Sequence, residues 1–360
     1  MPTSLASRTA AGADQTETLA DQVRRASTEH RPLRIVGGDT KFFYGRKVMG
    51  EILCLAGHAG VTDYTPSELV ITARAGTLLS DIETLLDANG QMLAFEPPAM
   101  GASSTIGGVV AAGLSGPRRP FAGAVRDFVL GVTILDGRGR RLRFGGTVFK
   151  NVAGFDAFRL MAGALGSLGV ILDVSLRVTP KPRAEAALVF EMGWSEAQGR
   201  IAALMRRPLP LSGAAHHEGR LHLRLSGPEA AVTASATELG GEPDAPDFWP
   251  GVRRMTHPAL RPDAGLWRLS VPPLARLDLP GDIFIDWGGA QRWLPAGLPP
   301  AAVREAAQAA GGHASVFYAP SPNGDVFAPL APPNLTLHRR LKAAMDPQGI
   351  LNPGRLYLDL

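Results

Sequence analysis

Pro32-Leu-Arg-Ile-Val36 runs without a break into Gly37-Gly38-Asp39-Thr40-Lys41. The first five residues read as a strand, and the two glycines release the backbone for dihedrals that side chains resist. Downstream, Glu68-Leu-Val-Ile-Thr-Ala-Arg74 reads as a second strand. Thr77 to Asn89, with Leu78, Ile82, Leu85 and Leu86 on one face, reads as a helix stopped by Gly90. From Pro97 to Pro117 there are 21 uncharged residues, three of them proline and five glycine. That composition would break a membrane-spanning helix, so the stretch is expected to be a buried or ligand-wrapping loop. Val129 to Leu135 and Arg140 to Phe144 flank Asp136-Gly137 as a hairpin, and Asp156 to Ala164 reads as a short helix. Gly166-Ser-Leu-Gly169 then leads into a buried strand ending near Leu176.

Glycine thus gathers in three places within the first 170 residues: Gly37-Gly38, Gly101 to Gly116, and Gly163-x-x-Gly166-x-x-Gly169. Phosphate groups need converging backbone N–H donors and close approach, and glycine-rich turns provide both. One such cluster is equally a tight turn, but three beside strands point to a phosphate-bearing cofactor. The frame is neither of the common nucleotide folds. No G-x-G-x-x-G runs from a strand into a helix with an acid about 20 residues on, and no G-x-x-x-x-G-K-[ST] occurs.

The rest of the composition narrows the class. A chain of 360 residues, 45% hydrophobic and 19% charged, is folded and long enough for two or three domains. Thirty-two arginines and five lysines face 33 acids without forming a basic run, which argues against a nucleic-acid tract. Cys54 is the single cysteine, so an intramolecular disulfide, a thiolate zinc site and an iron-sulfur cluster are all excluded. Met1 to Gln15 has no continuous apolar core of the secretory kind, which gives a cytoplasmic expectation.

Taken in order, Gly37 to Lys41, Thr105-Ile-Gly-Gly108, Val125-Arg-Asp-Phe-Val-Leu-Gly131, Asn151-Val-Ala-Gly-Phe-Asp156 and Gly166-Ser-Leu-Gly-Val-Ile171 resemble the FAD-linked oxidases of the vanillyl-alcohol oxidase type. Gly116-Pro-Arg-Arg-Pro120, Leu142-Arg-Phe-Gly-Gly146, Ile285-Asp-Trp-Gly-Gly289 and Gly311-Gly-His-Ala314 narrow the resemblance to the FAD-binding E subunits of bacterial glycolate oxidase (glycolate dehydrogenase), from about Leu33 to Leu360. The resemblance implies an α+β fold: a two-subdomain FAD-binding half of the PCMH type over residues 32–183 and an α+β cap over 184–330. A polar leader with a short helix would occupy residues 1–31, and residues 331–360 would return to the FAD half. Carried onto matching positions, it implies FAD contacts from Gly37, Gly38, Asp39, Thr40, Lys41, Pro98, Ser104, Thr105, Gly107, Gly108, Asp127, Gly154, Gly169, Val170, Ile171 and Asn352. The covalent members carry a histidine in the first loop. Here that loop has none, so the FAD is expected to be non-covalent, with Asp39 either turned away from the phosphates or offset by Lys41.

Beyond Ala184, strands and helices alternate, with Pro-rich interruptions such as Pro243 to Pro250. His216-His217-Glu218 with His222 is the one metal-like cluster. Neighbouring strand residues face opposite ways, so solvated or structural histidines are the plainer reading, and no metal is expected. Arg268, Arg292 and His313 are candidates for a substrate carboxylate, with packing or interface roles as the alternative. The sequence designates no catalytic base.

The implied function is the FAD subunit of a complex that oxidises glycolate, with D-lactate a second candidate, to the 2-oxo acid. Its partners would be a D-type FAD catalytic subunit and an iron-sulfur subunit, since Cys54 alone cannot hold a cluster. Membrane association would be at most peripheral, at the inner membrane, through those partners. Two other readings stay open: an assembly subunit with a structural flavin, and a free-standing FAD oxidoreductase on another 2-hydroxy acid. Whether this chain's flavin takes the hydride or only relays electrons is not written in the sequence.

Overall fold

The computed structural model describes residues 13–146, 156–261, 265–319 and 325–360. The chain is a mixed α+β protein built around two separate antiparallel sheets. The opening strand Leu33–Val36 pairs in parallel with Glu51–Cys54, a strand the sequence did not announce because only one of its four residues is buried. A five-stranded sheet follows, in the order Val61–Thr65, Val70–Arg74, Val170–Arg177, Val129–Leu135, Arg141–Gly145. One large apolar core, including Ile71, Ile82, Phe95, Phe128, Ile134 and Leu172, joins these strands to the helices Thr16–Thr28, Leu79–Asp87 and Ile106–Ala112.

The last of these helices corrects the loop expected between Pro97 and Pro117. Thr105 caps it, its Oγ1 accepting from the Gly108 N–H at 3.3 Å, and Gly113 ends it at φ +67°. Its Ile-Gly-Gly-Val-Val-Ala-Ala sequence is too short and too uniformly apolar to show a helical stripe, because packing buries it on nearly every side. The helix expected from Asp156 is a single 3₁₀ turn, Ala157–Met161.

The second sheet has eight antiparallel strands, in the order Glu242–Pro243, Ala184–Glu191, Arg220–Gly227, Leu211–His217, Phe284–Asp286, Gln291–Pro295, Leu266–Ser270, His313–Tyr318. After Leu211, the strand Leu211–His217 consists of small residues and histidine, poor strand formers that only tertiary burial makes extended. Inside the Pro-rich stretch, Phe248–Arg254 forms a helix that buries Phe248, Trp249 and Val252.

The two sheets meet across an apolar and an ionic seam. Phe43 and Tyr44 pack on Phe317, and Trp293 meets Phe317 at 4.9 Å between centroids. Beside them Glu96, 5% exposed and at φ +48°, accepts from Arg224 Nη2 at 2.9 Å and from the Arg118 N–H and Nε at 2.9 and 3.3 Å. Burial pushes the Glu96 carboxyl up, but Arg224 and Arg118 outweigh it and hold the group below the usual carboxylate range.

The C-terminal helix Pro332–Met345 is anchored by Lys342, whose buried ammonium donates to Ser167 O, Asp346 Oδ2 and Leu351 O at 2.7–2.8 Å. Beyond it, Leu351 bridges Leu33 in parallel, and Asn352 Oδ1 accepts from the Ile35 N–H at 2.8 Å while its Nδ2 donates to Leu165 O at 2.7 Å.

Candidate functional site

The opening strand, the glycine turn after it, the helix Ile106–Ala112, the turn at Gly166 to Gly169 and Asn352 together wall an open cleft. The local chemistry explains why the chain folds back so tightly there. A Cβ on Gly38 would lie 1.5 Å from Ser103 O, and one on Gly37 would lie 2.3 Å from Thr105 Oγ1. The glycines therefore let the first loop press onto the 103–105 segment, where Ser103 Oγ donates to Gly38 O at 2.9 Å and the Thr40 and Ser104 hydroxyls share a hydrogen bond at 3.0 Å. The backbone N–H groups of residues 37–41 find no acceptor among the described residues. Five consecutive free donors at the mouth of a cleft are a nest for an anion.

The side chains add positive charge. Lys41 lines the cleft, and burial pushes its amine down to about 8. Arg355 also lines it, its guanidinium donating to the carbonyls of Arg46, Lys41 and Phe42 at 2.9, 3.1 and 3.2 Å. Burial, with Arg34 nearby, holds Arg355 below the usual guanidinium range. Asp39 pairs with Arg34, so Arg34, rather than Lys41, offsets the carboxylate. Arg355 and Arg34 were missed by sequence reasoning, although Arg355 sits directly after Asn352-Pro-Gly354.

The cleft collects Gly37, Gly38, Asp39, Thr40, Lys41, Thr105, Gly107, Gly108, Gly169, Ile171 and Asn352, with Ser104 behind Thr40. The two helix glycines differ. A Cβ on Gly107 would come within 2.5 Å of the Ala75 Cβ, whereas one on Gly108 would meet only Thr105 Oγ1, at 3.3 Å. Val170 is fully buried in its strand and does not reach the cleft. Asp127 is occupied elsewhere, Oδ2 accepting from the Ala124 N–H at 2.9 Å as a helix cap. Gly154 lies outside the described residues.

Pro98 instead borders a second, narrower cavity between the segment Leu114 to Pro117 and the eight-stranded sheet. Arg268, Asp286, Gln291, Trp293 and Phe317 close its far side. Of the three candidates for a carboxylate, only Arg268 borders either of these two cavities. Arg292 is 2% exposed and spends its guanidinium on the carbonyls of Gly289 and Ala275. His313 borders neither cavity; burial, then the nearby Arg268, lowers its imidazole. Asp286 and Gln291 went unassigned in the sequence because they lie on different strands and no local spacing joins them.

The histidines separate as strand geometry requires. His216 Nε2 lies 3.0 Å from Met192 O, and His222 Nδ1 lies 3.0 Å from both Asp244 oxygens with its ring stacked on Phe248. His217 faces the other way, where it, Glu218 and Asp282 bring ligand-type atoms within 4.8 Å of one another, both acids being exposed.

Residues 9–145 match the family described as FAD binding domain, and residues 329–356 match the FAD linked oxidases, C-terminal domain. Over 349 residues the chain is 47% identical to the glycolate oxidase subunit GlcE of Escherichia coli (strain K12), covering 96% of this chain and 99% of that one. Over 175 residues it is 29% identical to the glycolate oxidase subunit GlcD of Bacillus subtilis (strain 168), covering 47% of this chain and 37% of that one. A solved alkyldihydroxyacetonephosphate synthase matches 94% of this chain and 76% of its own, with a TM-score of 0.64 at 15% identity, a likeness of fold alone.

Proposed function

The chain belongs to the FAD-linked oxidases, in the family of the glycolate oxidase subunit GlcE, and from that premise we propose that it is the FAD-binding subunit of a complex oxidising glycolate to glyoxylate. The observation that carries this reading is the row of free N–H groups at residues 37–41, beside Lys41 and Arg355, in a glycine-walled cleft. These donors fit a pyrophosphate, which needs several hydrogen bonds at close range and a compensating charge. Gly108 leaves its helix open to the cleft at the place where a phosphate would approach. Asn352 and the turn at Gly166 to Gly169 would flank the rest of the cofactor.

Bound FAD would supply acceptance of a hydride from the α-carbon of a 2-hydroxy acid. The chain's own residues bind and orient the cofactor without a covalent link, because the first loop offers no histidine. The aromatic seam of Phe43, Tyr44, Trp293 and Phe317 shields the space between the two sheets from water. With a single cysteine, the chain needs a separate iron-sulfur subunit to carry electrons onward, alongside a D-type flavin subunit. Among the described residues no helix is long and apolar enough to cross a membrane. We place the subunit in the cytoplasm, peripheral to the membrane through its partners.

Acid precipitation of the purified chain should release yellow FAD into the supernatant; flavin retained on the denatured protein would overturn non-covalent binding. Co-purification of the assembly, with flavin counted per subunit, should recover both partners and bleach on glycolate. A chain that purifies alone and oxidises glycolate at the full rate would replace this reading with a free-standing oxidase.

A further inference from the structure

The second cavity holds an unusual pair of charges. Asp286 is 2% exposed, and one of its carboxyl oxygens accepts from the Trp287 N–H at 2.7 Å. No other hydrogen bond reaches that carboxyl among the described residues. Arg268 borders the same cavity, its Nε donating to Gln291 Oε1 at 2.7 Å while its two terminal nitrogens have no acceptor among the described residues. Its guanidinium lies over Trp287 and Trp293, 5.2 and 5.9 Å from the ring centroids. Arg119, also without an acid in ion-pair reach among the described residues, covers Trp287 at 4.3 Å. Trp287 itself stands at φ +54°, a conformation costly for a bulky residue, held there by the Asp286 carboxyl and by its own Nε1–H donating to Gly116 O at 3.0 Å. The stretch that walls the FAD cleft through Thr105 to Ala112 continues directly into this cavity at Leu114 to Pro117.

We propose that this cavity seats the 2-hydroxy acid, with Arg268 holding its carboxylate and Asp286 taking the proton of its hydroxyl. The proposal rests on the function argued above and adds the residues that would carry out the chemistry. Oxidation breaks the α-carbon C–H and the hydroxyl O–H bonds and forms a carbonyl. Bound FAD would take the hydride pair, and the proton goes to the Asp286 carboxylate, which later returns it to solvent. In a 2-hydroxy acid the carboxylate and the hydroxyl sit on adjacent carbons, so a cation and a proton acceptor on neighbouring walls of one narrow cavity match it. A proton acceptor works best when its affinity for protons is near the working pH, and burial raises Asp286 to about 7. The Trp287 N–H, Arg224 and Arg268 oppose that rise and Glu96 adds to it. Arg119 and His313, both influenced by Arg268, complete the charged surroundings.

The test uses the FAD-loaded full chain and the assembled complex. Calorimetry of glycolate binding near pH 7, in buffers of differing ionisation heat, should show proton uptake by the wild type. Asp286→Asn keeps an acceptor for the Trp287 N–H and should bind glycolate within threefold, with the uptake gone. Arg268→Met should weaken binding at least tenfold. In the complex, Asp286→Asn should slow flavin reduction by glycolate at least a hundredfold, and the rate should lose its rise through pH 7. Should Asp286→Asn not fold, Asp286→Glu should give a slowed rate with a shifted pH profile. Unchanged proton uptake and unchanged reduction in the variants, with FAD bound and glycolate oxidised, would overturn the proposal and leave the function standing. A wild-type complex that does not oxidise glycolate would overturn both.

Discussion

The two cavities present opposite solutions to holding an anion. The cleft does it with main chain: five free N–H groups, glycines where side chains would collide, and one amine at the edge. The narrow cavity does it with side chains, a guanidinium and a carboxyl delivered by separate strands of the eight-stranded sheet. Main-chain donors are fixed once the turn folds, whereas side-chain charges must be kept apart from the acids and bases around them. The Glu96, Arg118 and Arg224 network, buried between the two regions, performs that sorting: it absorbs two guanidiniums and leaves Arg268 unpaired.

The largest effect should come from breaking that network. Glu96→Gln takes the carboxylate from the buried Arg224 guanidinium and leaves Arg118 only Glu185, and should cost about 3–5 kcal/mol of stability, read from chemical unfolding. Loss of both FAD and glycolate binding would accompany it, while an unchanged unfolding midpoint would mean the cavities are independent. Next, valine at the two helix glycines should separate packing from binding. Gly107→Val pushes into Ala75 and should lower stability and yield, whereas Gly108→Val should leave a folded protein with flavin content reduced about tenfold or more. Equal flavin loss at equal stability would erase the distinction.

A smaller effect is expected at Lys41. With its amine pushed down to about 8 by burial, a bound pyrophosphate would draw it back to the charged form. FAD affinity should therefore fall as pH rises past about 8, and Lys41→Met should lower affinity about tenfold while flattening that dependence. The smallest effect concerns stability at the other cavity. Asp286 binds its proton more tightly folded than unfolded, so its contribution is fully present below the unfolded value of 3.8 and disappears as pH rises through about 7. The melting temperature of Asp286→Asn should exceed that of the wild type by a few degrees at pH 8, and the gap should close only as pH falls to the unfolded value of 3.8.

The cleft was legible in the sequence because its determinants are contiguous. Gly37-Gly38 and Thr105-Ile-Gly-Gly108 each specify a local turn or helix start, and such geometry is encoded where it occurs. What escaped was assembled at long range. Asp286 and Gln291 face each other by strand register, and Arg268 reaches them from another strand, so no local pattern marks the three as neighbours. Asp127 shows the reverse: the resemblance implied an FAD contact there, and its carboxylate caps a short helix instead of lining the cleft. The strand Leu211–His217 was hidden because its extended form is imposed by the sheet around it rather than preferred by its residues.

Asn352 reaches back across more than three hundred positions to accept from Ile35, and the strand-like bridge at Leu351 completes the edge of the opening strand. A ribosome that has released the first glycine loop has therefore not yet released its back wall. Cofactor capture should begin only after residue 352 has emerged: chains stalled before it should remain colourless however well their first sheet has folded.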